Sequence, residues 1–435
     1  MPGRGPLLGV VLLACLLGTL PSCGGSRSDG AYARTPFVDA RSAHSFVESV
    51  GVNVHLTNLD TSYRDFPTLQ ARLSELGVRH IRDGICASCS FQIDRLKALA
   101  AAGIRSNLIV GYLRGGTREL EASLAAVRDH LVGGVASVEA PNEVDAEGDP
   151  QWIEHTRIYQ TELYRRVKGE PRLAHLPVIG PSLTEPNSRA ALGDLSPFLD
   201  RGNLHPYSSG GPPLANLTNE RQMAARVSKQ KPLVITEVGY HTDMTRGDHL
   251  PASDKAITIY TPRIFLEAFR ERIERTYLYQ LADPLPAAEA RARGFPAFEN
   301  RFGLLRADLS RKASFLALRN LLRAVSGRAK PVSAPGGLRL GLDGEGHDVR
   351  RLLLRSGPRS YALVLWRNVS VWNVAARRDY SPPADDLEVV LGQRVERVQR
   401  LDPASSANVS ESWESPRRIR VALKAAPVVL RLALP

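Results

Sequence analysis

Short apolar runs alternate with amphipathic stretches from about residue 50 onwards. The run GVNVHL at residues 51 to 56 is typical of a buried strand. Leu69, Leu73 and Leu76 follow at the spacing of one helix face, and Gly77 ends that segment. The same order of run and helical stretch then repeats, with the runs at residues 78–82, 105–112, 134–140, 177–182, 202–207, 232–240 and 275–283. The pattern therefore predicts eight strand–helix units.

Eight such units in roughly 280 residues favour an α/β fold of the (β/α)8 barrel type over an open doubly wound sheet. No Gly-x-Gly-x-x-Gly follows the first strand, which argues against a dinucleotide-binding fold. Pro262 lies inside the helix predicted at 254 to 273 and should kink that helix or mark its true start. The barrel is predicted to span residues 41–328.

The period of the pattern changes after about residue 328. Runs such as VRRLLLRSG, SYALVLWRNVSVWN and APVVLRLAL are strand-like and are separated by Gly, Pro, Ser and Asp turns. A second, all-β domain at residues 329–435 follows, as a β-sandwich. Its tryptophans, Trp366, Trp372 and Trp413, are expected in core or interface packing, and sugar stacking is the alternative.

The first 23 residues have the length and composition of an export signal, with Arg4 before an apolar core that is too short to span a membrane. Leu20-Pro21-Ser22-Cys23 looks like a bacterial lipoprotein cleavage box, which would lipidate Cys23. Cys15 offers a second such position, and a plain cleaved signal is the alternative. The protein is thus expected outside the cytoplasm, either secreted, periplasmic or lipid-anchored. Residues 24–40 have the composition of a flexible tether.

Cys86 and Cys89 are the cysteines beyond the signal region. Two thiols cannot close a tetrahedral zinc site alone, and no thioredoxin-like pattern surrounds them. In an exported protein a local disulfide is the better interpretation.

The distribution of charge argues against a nucleic-acid-binding function. Lys and Arg number 57 against 45 acidic residues, a net charge of +12, but the excess is scattered along the chain. No block of like charges and no RNA or DNA module occurs, so a solvated basic surface is favoured over a nucleic-acid groove.

Two carboxylates stand at the ends of predicted barrel strands. Glu143 comes just after the fourth strand, in SVEAPNEVD, and Glu237 closes the seventh, in PLVITE. Active groups of such barrels lie at the carboxyl ends of the strands, and strands four and seven face each other across the mouth. Paired carboxylates in that position are typical of glycoside hydrolysis.

The ordered set of motifs resembles the retaining glycoside hydrolases of the large (β/α)8 clan that includes cellulases, xylosidases and endo-glycosidases. Besides Asn142-Glu143 and Glu237, the resemblance rests on RHIRDG after the second strand, LHPY after the sixth, and the segment from RTYLYQLADP to the closing helix. It covers about 280 residues, and an appended β-domain is common in that clan.

The resemblance implies a role for each matching residue. Glu143 would be the acid/base and Glu237 the nucleophile, while Asn142 would bond the sugar 2-hydroxyl. Arg82 and Tyr207 would hold Glu237 ionised. The implied wall of the site consists of Asn53, His55 and His205 with Tyr112 and Tyr240 for sugar stacking, and Gln280 stands where the clan often has Trp.

An oligo- or polysaccharide is therefore the expected partner and no cofactor is expected. Membrane contact is expected only through the lipid anchor. A non-catalytic carbohydrate-binding lipoprotein on the same fold is the rival interpretation. A metal-dependent barrel hydrolase is a weaker one, because the spacing of its candidate ligands matches no standard zinc pattern; these are His205, His241, His249, Asp243 and Asp248.

Overall fold

A computed structural model describes residues 35–113, 116–245, 250–326 and 335–435. The predicted export signal, Cys15, Cys23 and most of the predicted tether lie outside the described residues. In the part of the chain that the structure covers, no helix combines the length and the apolar character needed to cross a bilayer.

Eight parallel strands form the predicted barrel. Strands β3 to β10 are Val50–Asn53, His80–Gly84, Arg105–Ile109, Val135–Glu139, Val178–Ile179, Gly202–Leu204, Leu233–Val238 and Arg275–Leu278. Neighbours in sequence pair with each other from β3 to β7 and from β8 to β10, and β10 pairs with β3. A single bridge between Ile179 and Arg201 joins β7 to β8 and closes the ring. The (β/α)8 prediction is confirmed.

Helices follow the strands as the apolar spacing predicts. The helices α2 to α8 and α10 are Phe66–Leu76, Ser90–Ala101, Gly116–Ala126, Trp152–Gly169, Ser188–Leu192, Leu217–Ser228, Asp254–Arg270 and Ala313–Val325. Helix α2 shows why: the Asp65 side chain caps its first turn, Leu69, Leu73 and Leu76 are buried, and Gly77 ends it in the left-handed conformation at φ 85°.

Three helical features differ from the simple repeat. The fifth unit has only the short α6. Two helices are additional, since α1 (Ala43–Glu48) precedes the first barrel strand and α9 (Ala287–Ala292) lies between β10 and α10. Pro262 does not mark a helix start, because α8 begins at Asp254 with the Ser253 side chain accepting from the Ala256 N–H.

Two antiparallel sheets form the C-terminal sandwich. One contains β1 (Phe37–Asp39), β11 (Gly337–Asp343), β16 (Asp385–Leu391) and β19 (Arg418–Leu423). The other contains β18 (Val409–Glu414), β17 (Arg397–Leu401), β20 (Val428–Ala433), β13 (Ser360–Arg367), β12 (Val349–Gly357) and, in parallel, β2 (Arg41–Ser42). A ribbon of β14 (Trp372–Asn373) and β15 (Arg378–Asp379) is added.

The N-terminal strands belong to this sandwich. Residues 37–39, within the predicted tether of 24–40, pair with β11, and Arg41–Ser42 pair with β12. The described chain therefore starts in the β-domain and then enters the barrel.

The β-domain packs against the barrel helices. Alternate residues of β13 face opposite ways: Leu363 and Leu365 join the sandwich core, whereas Val364 and Trp366 join the barrel core. The Trp366 indole N–H donates to Oε1 of Glu267 on α8 at 2.7 Å. Trp366 and Trp372 are both buried, so they serve packing rather than sugar stacking.

Candidate active site

The carboxyl ends of the barrel strands open into a cavity of about 960 Å³. Its lining comes mainly from the segments after β3, β4, β5 and β6. Tyr207 after β8, Glu237 in β9, and Tyr279, Glu299 and Phe302 after β10 complete it. The cavity therefore lies where parallel barrels place their active groups.

Glu143 and Glu237 meet in this cavity. Glu237 is part of β9, and Glu143 lies four residues beyond the end of β6. One carboxylate oxygen of each lies within 4.8 Å of the other. Glu143 has a positive φ of 45°, and its backbone N–H donates to Oγ of Ser182 at 2.8 Å. A left-handed non-glycine residue is a strain commonly found at functional sites.

Both oxygens of Glu237 accept hydrogen bonds. Arg82 donates from Nη1 to Oε1 at 2.6 Å, and the Tyr207 hydroxyl donates to Oε2 at 2.8 Å. Burial alone raises the pKa of Glu237, but the charges of His205 and Arg82 and the two hydrogen bonds outweigh burial, so the pKa lies below its ordinary value. The side chain is therefore a carboxylate at neutral pH.

Arg82 is shared with a third carboxylate, Glu139, the last residue of β6. Its Nε and Nη2 donate to the two oxygens of Glu139 at 2.9 and 2.7 Å. Glu139 is fully buried and also accepts from the amides of Asn107 and Asn203. Such a two-pronged pairing fixes the guanidinium plane, so Glu139 orients Arg82 toward Glu237.

Asn142 and Asn53 complete the surroundings of Arg82. Oδ1 of Asn142 accepts from Nη2 of Arg82 at 2.7 Å and from Ser182 at 3.1 Å. Since Oδ1 of Asn142 is occupied, the side chain can bind a ligand by donating from its amide N–H groups. Asn53 accepts from Nη1 of Arg82 at 3.0 Å and donates to the Thr236 carbonyl. Both line the cavity.

His205 lies behind the two carboxylates rather than on the cavity wall. Its Nδ1 is 2.9 Å from Oε1 of Glu143 and 3.9 Å from Oε2 of Glu237, and its Nε2 is 2.9 Å from Oγ1 of Thr236. Its side chain is only 2% exposed. His205 can orient Glu143 but is not placed to contact substrate broadly.

Two other predicted wall residues, His55 and Tyr112, reach the cavity, and so does Tyr207. Burial lowers the pKa of His55 to about 4. The charge of Glu237 and a hydrogen bond with Gln280 oppose this shift, whereas the charge of Arg82 adds to it, so the ring is neutral at pH 7. Tyr112 is 61% exposed, which suits a stacking surface.

Two predicted substrate contacts are wrong. Gln280 is only 1% exposed, because it accepts from the Tyr63 hydroxyl and donates to the Glu299 carbonyl beneath the site. Tyr279 is the residue of that strand end that lines the cavity. Tyr240 is also buried, and its hydroxyl donates to the Gly211 carbonyl at 2.8 Å.

Residues missed by the sequence analysis include Glu139, Glu299 and Phe302. Glu139 gave a signal, as an acid inside the apolar run GVASVEA, and Asn107 and Asn203 are similar polar positions within strand runs. Glu299 and Phe302 lie at a short 3-10 helix, Glu299–Arg301, far beyond the strand end, and gave no signal. Tyr279, Phe302 and Tyr207 pack edge to face, which builds an aromatic floor.

Cys86 and Cys89 form a disulfide in the loop between β4 and α3, in line with the prediction. Their Cα atoms are 5.3 Å apart, and both residues line the cavity. The disulfide shapes one wall of the site.

The ligand-type atoms of Glu143, His205 and Glu237 lie within 4.8 Å of one another, as in a metal site. However, Arg82 and Tyr207 already donate to Glu237. A cation would have to displace these donors, so the set fits hydrogen bonding better than a metal. Of the other candidate ligands, Asp243 donates its N–H to His241, and Asp248 and His249 lie outside the described residues.

Comparison with solved structures gives the fold a known context. The chain is similar to a monomeric β-xylosidase from Caulobacter crescentus CB15, with 15% identity, a TM-score of 0.59 and 92% of this chain and 98% of that one covered. It is also similar to the GH39 enzyme from Xanthomonas axonopodis pv. citri, with 16% identity, a TM-score of 0.59 and 91% and 96% covered. The fold is shared with solved glycoside hydrolases.

A glucosidase from Croceicoccus marinus is similar as well, with 11% identity, a TM-score of 0.57 and 84% and 91% covered. Because these matches span most of both chains, the glycoside hydrolase likeness includes the β-domain as well as the barrel. No family model matches the sequence, and no curated protein matches it. The predicted likeness is confirmed at the level of fold.

Proposed function

We propose that the protein is a retaining glycoside hydrolase that cleaves an oligo- or polysaccharide, with Glu237 as nucleophile and Glu143 as acid/base. The observation that carries the proposal is the separation of their carboxylate oxygens, within 4.8 Å. Retaining enzymes hold the two carboxyl groups about 5–5.5 Å apart, whereas inverting enzymes need about 6.5–9.5 Å to admit a water. The glycoside hydrolase fold of the neighbours supports the same class.

The surroundings suit a double displacement. Glu237, kept ionised by Arg82 and the Tyr207 hydroxyl, would attack the anomeric carbon while Glu143 protonates the leaving oxygen. Water would then release the sugar from Glu237, with Glu143 acting as base. Asn142 could donate to the sugar 2-hydroxyl, and Tyr279 would lie under the reacting sugar.

Covalent trapping tests this proposal. A panel of 2-deoxy-2-fluoro glycosides with good leaving groups should inactivate the enzyme, and mass spectrometry should find the adduct on Glu237. Glu237→Gln should not be labelled. Absence of labelling together with absence of turnover on a broad glycan panel would favour the non-catalytic carbohydrate-binding rival.

We further propose that the enzyme works outside the cytoplasm, anchored by a lipid on Cys23. The signal-like first 23 residues and the disulfide Cys86–Cys89 support this proposal. When the protein is produced in a bacterial host with a radioactive fatty acid, the wild type should be labelled and Cys23→Ser should not. Labelling that persists in Cys23→Ser and disappears in Cys15→Ser would move the anchor to Cys15.

A further inference from the structure

A chain of hydrogen bonds beneath the cavity joins the two candidate catalytic carboxylates. It runs from Glu237 through Arg82 to Glu139, on through Asn203 and Thr236, and through His205 to Glu143. The direction of each bond can be worked out from which atoms are obligatory donors or acceptors.

The amide of Asn203 has only one possible orientation. Its Nδ2 lies 3.0 Å from Oε1 of Glu139 and 3.1 Å from the Gly180 carbonyl oxygen. Both partners are acceptors here, because Glu139 already faces the N–H groups of Arg82 and Asn107. The amide nitrogen must therefore face them, and Oδ1 of Asn203 must face Thr236.

The Thr236 hydroxyl then has its single proton committed. It lies 2.6 Å from Oδ1 of Asn203, which can only accept. Thr236 must donate to Asn203, so its lone pairs face Nε2 of His205 at 2.9 Å. A bond there requires that Nε2 carries the proton.

We infer that Thr236 locks His205 with its proton on Nε2, so that one labile proton is shared between Nδ1 of His205 and Oε1 of Glu143. This inference deepens the proposed function and rests on it. When His205 is neutral, Nδ1 is an acceptor and Glu143 is the protonated acid. When the proton moves to Nδ1, Glu143 is a carboxylate facing an imidazolium.

The charged groups around this pair come from several elements. Glu237 on β9 lies 3.9 Å from Nδ1 of His205 and is itself held by Arg82 and Tyr207. Glu220 on α7 is a further acidic neighbour. Burial raises its pKa, and the charges of Arg189 and His205 partly oppose that rise. Burial raises the pKa of Glu299, and the charges of Glu237 and Glu143 add to that rise. The acidic neighbours favour keeping the shared proton.

The reaction uses this proton in a balanced cycle. In the first step, the Glu143 proton passes to the glycosidic oxygen, the C–O bonding pair goes to that oxygen, and a Glu237 lone pair bonds to the anomeric carbon. In the second step, water attacks that carbon, the bonding pair returns to Glu237, and the water proton returns to the Glu143–His205 pair. Thr236 and Asn203 act as positioning residues, since they touch no reacting atom.

Nitrogen NMR tests the tautomer directly. Protein containing ¹⁵N-histidine, with His205 assigned by comparison with His205→Gln, should show a protonated Nε2 in the wild type. Thr236→Val keeps the side-chain shape but removes the acceptor, so His205 should change to the Nδ1–H tautomer. Thr236→Ser should retain the wild-type signal. A neutral Nδ1–H tautomer in the wild type would overturn the inference.

The pH profile of kcat/KM gives the functional test. In Thr236→Val, an Nδ1–H would stabilise ionised Glu143, so the high-pH limb should move down by about one unit and activity above it should fall about tenfold. Substrates with very good leaving groups need no general acid, so the variant should lose little activity on them. Thr236→Ser should restore the limb. An unmoved limb, or equal losses with both kinds of leaving group, would contradict the inference.

The two proposals can fail separately. If no glycoside is turned over or trapped, the proposed function fails while the NMR result still decides the tautomer. If trapping succeeds but His205 carries its proton on Nδ1, only the inference about Thr236 is lost.

Discussion

Arg82 is the residue around which the site is organised. Its guanidinium is almost fully buried and faces two carboxylates, Glu139 and Glu237, so the three groups together carry a net negative charge. Buried ion pairs of this kind rarely add stability, because desolvation offsets the attraction. We interpret the cluster as functional: Glu139 holds Arg82 in place whether or not Glu237 is charged.

Tyr207→Phe is predicted to move the low-pH limb of kcat/KM upward. The change removes one hydrogen bond to the Glu237 carboxylate, so the pKa of Glu237 should rise, and this proposed nucleophile should require a higher pH to ionise. The shift should be about one pH unit, because a hydrogen bond to a charged group contributes about 1.5 kcal/mol. The measurement is kcat/KM against pH.

Tyr240→Phe is the matched control for this prediction. It removes a hydroxyl that bonds the Gly211 carbonyl away from the cavity, so the low-pH limb should stay in place. A shift of equal size in both variants would show that the effect is a general one of the barrel rather than a contact with Glu237.

At the scale of elements, a second ionic cluster ties the opposite end of the barrel together. Glu48, at the end of α1, contacts Nε2 of His80 on β4 at 2.9 Å, and Arg79 and Arg105 also pair with it. Burial, partly opposed by Glu48, lowers the pKa of His80 to about 4. The hydrogen bond from His80 is the main reason that the pKa of Glu48 also lies below its ordinary value.

This cluster should make stability depend on pH. The unfolded chain binds a proton on His80 below about pH 6.5 while the folded chain does not, so stability is complete above pH 6.5 and declines as the pH falls toward 4. Because His80 is fully buried, the loss can reach about 3 kcal/mol. Urea unfolding of the wild type and His80→Gln at about pH 7 and pH 4.5 would measure it.

The variant should lose less stability than the wild type over this range, because glutamine can bond Glu48 without titrating. His44→Gln, a change at a partly exposed histidine near Glu48, serves as the control and should follow the wild type. Parallel pH dependences for the wild type and His80→Gln would rule out His80 as the source.

For the whole molecule, β13 joins the two domains. Its two faces contribute to two cores, and Trp366 lies at the junction with α8. Trp366→Ala is predicted to lower the free energy of unfolding by about 3–5 kcal/mol, since it opens a cavity and removes the indole donor to Oε1 of Glu267, leaving only the Arg270 donor to Oε2. Denaturant unfolding measures this loss.

Trp413→Ala is the comparison for Trp366→Ala. Trp413 is only partly buried against the sandwich core, so its replacement should cost clearly less. Equal losses in the two variants would mean that the domain junction contributes little.

The cavity differs in charge from the rest of the molecule. The chain carries +12, yet the described lining residues include one guanidinium, Arg82, and six acidic side chains, which are Asp83, Glu119, Glu143, Glu147, Glu237 and Glu299. Burial raises the pKa of Asp83 to about 7 and also raises the pKa of Glu299, which reduces the negative charge that these two contribute. A cleft lined by one sign of charge repels ligands of the same sign. We therefore expect neutral sugar chains to be preferred over chains that contain uronic acids.

Calorimetry can measure the binding of oligosaccharides to Glu237→Gln, which checks this preference without turnover. Uronic-acid oligomers should bind at least about tenfold more weakly than neutral oligomers at about 0.01 M salt, and the gap should narrow near 1 M salt, where screening shortens the reach of the charges. Tighter binding of the uronic-acid oligomers would contradict the prediction.

Local patterns in the sequence were enough to predict the barrel, the β-domain and the strand-end positions of Glu143 and Glu237. The reason is that strand and helix periods depend on which side chains must be buried, and parallel barrels bring the carboxyl ends of all strands to one face. Asn142, Arg82 and Tyr207 were implied by the resemblance to the glycoside hydrolase clan. These features need no knowledge of how distant side chains meet.

Only the tertiary structure decided which side chains form hydrogen bonds with each other and which ones face the cavity. Tyr279 faces the cavity and Gln280 does not, because Tyr63 and the Glu299 backbone hold Gln280 below it. Glu139 binds Arg82, and Trp366 on β13 binds Glu267 on α8. In both pairs the two partners are far apart in the sequence. Such pairings depend on side-chain packing and on the direction of hydrogen bonds in three dimensions, which no local period of the sequence encodes.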